Sequence, residues 1–329
     1  MFGWLRREQA AKEEPAHRSI ATPEHIVRRD DASMPIPDWP RVPWPDPADA
    51  SAHDAHANGL AAAWLDALAP HLAGSRRRES ADFMLLSTLD ARAAATLLAY
   101  LDKSLKRLLH ILPGIATREG HGKSVVLVFD SDEDYYRYVS NYGAASSHDK
   151  PEAFSGGMFI DAGYGHFVFP AGNFDQMEPV VVHELTHCLV RHLPIPAWLN
   201  EGLAVNSQER FCPRPPRYRA VERQYLFGQF WNKTTIQEFW SGKSFLRADD
   251  GQALSYELAR LLVQQLDSNY DLLARYCRAA HQDDGGAAAA ESVLGLGLGE
   301  LAGTVLGAGN WEPDPSRWSE GTEGGQFTR

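Results

Sequence analysis

The chain is poor in cysteine, in basic residues and in uninterrupted apolar runs, and each shortage closes off a class of protein. Three cysteines among 329 residues, Cys188, Cys212 and Cys277, are too few for a disulfide framework and suit a reducing compartment. Lysine and arginine number 32 against 43 aspartates and glutamates, and the net charge of −11 argues against nucleic acid or an anionic membrane as a partner. No stretch of eighteen apolar residues is free of charge, so no membrane span is expected. The start, Met1-Phe2-Gly3-Trp4-Leu5-Arg6-Arg7, has no apolar core for export, and the expected setting is cytoplasmic. With 44% hydrophobic residues the chain can still fill one large core or two small ones.

What the chain does hold is a metal-site pattern. In Val182-His183-Glu184-Leu185-Thr186-His187 the two histidines stand four apart. That spacing puts both on one helical face, where they can share an ion with Glu184 beside it. By chance such a pattern arises about 0.03 times in a chain of this size and composition. Val181, Val182, Leu185, Cys188 and Leu189 form one apolar stripe, which predicts a buried helix with the histidines on its polar edge. Pro179 suits its first turn and Pro194 bars continuation past about His192.

Catalytic zinc requires three protein ligands. Glu201 ranks first for the third, because a second helix starting near Pro196 presents it after little more than one turn, back toward the histidines. Gly202 beside it is expected to let the two helices approach closely. A metzincin pattern fails, since the places of its glycine and third histidine hold Val190 and Leu193. A deformylase-like cysteine ligand upstream fails too, since every cysteine follows His183. Cys188 is expected to pack on the core.

His183-Glu184-Leu185-Thr186-His187 with Pro196-Ala197-Trp198-Leu199-Asn200-Glu201-Gly202-Leu203-Ala204 resembles the gluzincins of the peptidase MA-like superfamily. The likeness is tight over residues 179 to 206 and loose elsewhere. It implies one Zn2+ per chain on His183, His187 and Glu201, with Glu184 as general base toward a water acidified by the ion. It also implies a zincin-like α+β fold: a small mixed sheet over the helix of the motif, then a mainly helical C-terminal half. Similar family members place a tyrosine at a helix start in this part of the domain, which makes Tyr256 the candidate oxyanion donor. His192 is the second candidate, although a histidine at a helix end also serves as a cap. Two positions depart from the pattern: Asn206 replaces a frequent aromatic, and Val205 stands where thermolysin-like enzymes keep a carboxylate that supports the ligands. The expected function is zinc-dependent hydrolysis of a peptide or protein substrate. The alternatives are hydrolysis of another amide and a catalytically inactive zincin-fold binding protein.

Composition shifts divide the rest. Residues 1–55 are charged and then Pro-rich, which predicts an extended or disordered arm whose Trp39 and Trp44 can dock on the body. Residues 56–77 are expected to hold an Ala-rich helix and a linker, 78–310 the catalytic domain, and 311–329 a loose tail. Within the domain, strands are predicted at 81–87, 125–129, 153–161 and 164–170, the last two as a ribbon turning at Ala162-Gly163. Gly156-Gly157-Met158-Phe159 resembles the edge strand that holds extended peptide in gluzincin-like folds. Helices are predicted at 90–111, from Ser131, and near 217–232, 234–241, 253–267, 270–281 and 286–305, with the Gly-rich 294–299 as a helix–helix turn. Arg76-Arg77-Arg78 is expected to be solvated loop.

Overall fold

The computed structural model describes residues 29–42, 50–142, 156–170 and 172–318. Among these, eleven α-helices and one five-stranded mixed sheet make an α+β fold in which helix predominates. The sheet order is β1 (Arg76–Glu79), β2 (Phe83–Ser87), β3 (Ser124–Phe129), β5 (His166–Pro170), β4 (Met158–Ile160). The three central strands are parallel, and β1 and β4 close the two ends antiparallel to their neighbours. Alternation along each strand sorts the sheet into two faces. Phe83, Leu85, Val126, Val128, Phe167 and Phe169 enter the larger core, and Met84, Leu86, Val125, Leu127 and Val168 the smaller.

β1 is a correction, because its three arginines were expected in a loop. Its side chains are largely exposed, and a charged outer strand carries no period-two apolar signal while shielding the sheet edge from a further strand.

The smaller core lies under α1 (Ala50–Leu68), α3 (Asp132–Val139) and part of the expected arm. Met34 and Ile36 are buried there, and Trp39 packs edge-on to Trp64 at 5.3 Å and near Tyr164 at 5.9 Å. Gly163, at φ +64°, makes the β4–β5 turn, and a Cβ on it would strike the Trp39 ring. Residues 1–28 and 43–49, including Trp44, lie outside the described residues, as do 153–155 of the expected ribbon. The larger core lies under α2 (Ala91–Ile111) and α4 (Phe174–Val190). Asp90 caps α2 by accepting from Ala93 N at 2.8 Å. Leu97, Leu98, Leu101, Leu105 and Leu108 form its buried stripe, and burying each contributes about 1.5–3 kcal/mol.

The C-terminal half adds α5 (Ala197–Phe211), α6 (Ala220–Phe230), α7 (Thr235–Trp240), α8 (Gly251–Leu266) and α9 (Tyr270–Ala279). The short α10 (Ala287–Ala289) then runs into a π-turn, breaks at Gly295, and gives way to α11 (Leu298–Leu306) at 90°. Among the described residues, no single helix is long and apolar enough to cross a membrane. Residues 311–318 are docked, contrary to the loose tail expected: Gln237 donates to Glu312 O and accepts from Asp314 N, both at 2.7 Å. Trp240 Nε1 donates to Trp311 O at 2.7 Å. Main-chain capture by buried side chains leaves no periodic trace in the tail itself. Residues 319–329 lie outside the described residues.

Candidate metal centre

α4 starts at Asn173, whose side chain accepts from Asp175 N at 3.3 Å, so Pro179 lies inside the helix and not in its first turn as expected. The proline withholds the N–H that Asp175 O would accept, and Arg214 supplies a donor to that carbonyl at 2.9 Å. The helix ends at Val190, short of His192. Met177, Val181, Val182, Leu185 and Leu189 bury its apolar side, leaving the motif histidines on the flank toward α5.

His183, His187 and Glu201 converge as the spacing predicts, with one ligand atom from each lying within 4.8 Å of the others. Glu201 Oε2 is 3.2 Å from His183 Nε2 and 3.5 Å from His187 Nε2. Neither contact has hydrogen-bond geometry, so this buried oxygen is without a hydrogen-bond partner. A buried carboxylate oxygen normally has one. Burial works against the His187 cation, yet the Glu201 charge outweighs it and lifts His187 to about 9. Burial likewise opposes the Glu201 charge, but His187 and His183 hold its carboxyl far below the ordinary carboxylate range. The three groups thus share charge tightly and could hold a metal ion.

His187 Nδ1 donates to Asn200 Oδ1 at 2.9 Å, which directs Nε2 toward Glu201. Asn200 was part of the motif with no assigned role; its only sequence signal is adjacency to Glu201. His183 has no such support at Val205, and its ring instead lies 6.3 Å from that of Tyr256. Glu184 is buried beside the cluster, and its Oε2 accepts from Phe159 N on β4 at 2.7 Å. Burial raises its carboxyl above the usual range. Tyr256 comes to the site from α8, and burial with the Glu201 and Glu184 charges keeps its phenol protonated. His183 and Tyr256 both line a cavity of about 700 Å³. Its lining also includes Glu257 and Arg260, a buried pair joined at 2.7 and 2.9 Å.

Several neighbours take other places than expected. Gly202 serves the approach of α5 to α8 rather than to α4, since a Cβ there would lie 2.6 Å from Ala259 O and 2.5 Å from Val263 Cγ2. Asn206 reinforces the same seam by donating to Arg260 O at 3.0 Å. His192 does not line the cavity, and its Nδ1 is buried without a hydrogen-bond partner. Cys188 packs against the larger core, outside the metal cluster. No known family model matches the chain, and no curated protein matches it.

Proposed function

We propose that the chain is a zinc-dependent peptide-bond hydrolase of the gluzincin type on a zincin-like fold. The observation that carries this reading is Glu201 Oε2, buried without a hydrogen-bond partner beside two imidazole Nε2 atoms. Two imidazoles and a carboxylate suit Zn2+ and leave one of four places for water or substrate. His183, His187 and Glu201 would hold the ion. When bound, it supplies Lewis acidity that acidifies water and polarises a carbonyl.

The chain's own groups supply the rest. Glu184 Oε2 is engaged by the Phe159 amide, so Oε1 is the oxygen that takes a proton from water and passes it to the leaving nitrogen. The Tyr256 hydroxyl stays protonated beside His183 and donates to the developing oxyanion. The cavity of about 700 Å³ has room for substrate side chains. The three cysteines are unpaired, which suits a reducing, cytoplasmic setting.

The test is metal content by mass spectrometry beside cleavage of a broad peptide library. Stoichiometric zinc with chelator-sensitive cleavage that Glu184→Gln abolishes supports the reading. Zinc without cleavage would leave an inactive binding protein, and a chain that takes up no zinc would end the proposal.

A further inference from the structure

A general base works only if its carboxylate is held at the right angle, and in this fold the holding group comes from the sheet edge. Resting on the hydrolase reading above, we propose that the Phe159 main-chain amide and the Arg191 side chain are positioning groups for Glu184. Arg191 locks β4 against α4, and β4 presents the N–H that orients the carboxylate.

β4 is only three residues long and pairs with β5 on one side. Phe159 sits opposite Phe167, and alternate residues of an antiparallel pair point both main-chain groups away from the partner strand. Its N–H therefore faces α4, where it meets Glu184 Oε2 at 2.7 Å. So short a strand needs anchoring. Arg191, just past the end of α4, donates to Asp161 Oδ1 at 2.8 Å and to Glu119 O at 3.2 Å, and its guanidinium lies 5.9 Å from the centre of the Phe159 ring. Two glycines permit the closeness. A Cβ on Gly165 would come within 2.7 Å of Arg191 Nη1 and 3.0 Å of Phe159 Cζ, and one on Gly157 within 2.9 Å of Val180 Cγ1 on α4. A planar fork suits this place better than an ammonium, because it reaches an acid and a carbonyl from one rigid group while its face lies toward the ring.

The first arm of the test needs no activity. Exchange of the Phe159 amide hydrogen should quicken at least about tenfold in Glu184→Ala and in Arg191→Ala. The second replaces Phe159 by phenyllactate through nonsense suppression, which removes the N–H and also weakens the Met158 carbonyl as an acceptor, so phenyllactate at Ile160 serves as the control for ester linkage in β4. The Phe159 ester should lower kcat about 10–100-fold, with KM and metal content unchanged. Arg191→Ala should lose kcat similarly, and Arg191→Lys less. Because Arg191 also lines a second cavity of about 340 Å³, added guanidinium ion should restore part of the Arg191→Ala loss. Unchanged amide exchange in Glu184→Ala, or a Phe159 ester with wild-type kcat, overturns the proposal. A wild type without turnover brings down the hydrolase reading, and the exchange arm then decides whether the clamp exists.

Discussion

His166 and His187 are both withdrawn from water, on opposite sides of one sheet, and the fold drives them in opposite directions. His166, on β5, donates from Nδ1 to Tyr164 O at 2.7 Å and accepts at Nε2 from the Tyr138 hydroxyl at 2.8 Å, with Trp64 edge-on at 4.9 Å. Burial holds it neutral and lowers it to about 4. His187 loses to burial as well, but Glu201 raises it to about 9. Phenol and carbonyl partners satisfy a neutral imidazole completely. A carboxylate with an oxygen left over makes a charged cluster fit for a cation. Burial alone therefore does not set the charge of a histidine; the partner it is buried with does.

Glu201→Ala should break the contrast most deeply, making His187 a second isolated imidazole. One ligand in three of a zinc binding free energy of about 10–16 kcal/mol is a loss of about a thousandfold in affinity, measurable by competitive chelator titration. Glu184→Gln should retain zinc and lose about 10²–10⁴-fold in kcat, read from chelator-controlled turnover. The next effect sharpens the His166 side. Its folded value lies below that of a free histidine, so the unfolded chain binds more protons between about pH 6.5 and 4, and stability is lost as pH falls through that window. The loss should reach about 3 kcal/mol, and His166→Gln should flatten that part of the denaturation-versus-pH curve; parallel curves would refute it. Asn200→Ala, the mildest, should weaken zinc about 10–100-fold while leaving the acid limb set by His166 untouched.

Much of the fold was legible wherever one periodicity governed a segment. The leucines of α2 and the apolar run of β3 announced themselves, and Ser131 marked the helix start it caps. Legibility failed where a long-range partner overruled local chemistry. Pro179 read as a helix start, but Arg214, beyond α5, compensates the carbonyl it strands and lets α4 begin earlier. The arginines of β1 read as loop because their pairing with β2 is made by the backbone. Residues 311–318 read as tail because their anchors, Gln237, Trp240 and Lys243, sit far back in the chain. In the candidate site, the histidine pair and Glu201 were legible from spacing, and Tyr256 only through a resemblance. The support from Asn200 and from the Phe159 amide was not legible.

By itself the sequence determined what the helical period of 3.6 residues dictates: that His183 and His187 share a face, that Glu184 stands beside them, and that apolar stripes bury the opposite side. Tertiary structure alone decided that Glu201 Oε2 is left without a hydrogen-bond partner, that Asn200 holds His187, and that β4 hands its amide to Glu184. The reason is range. Turn geometry acts between neighbours and is written in spacing, whereas the partner of a buried polar group depends on which distant segments the two cores press together.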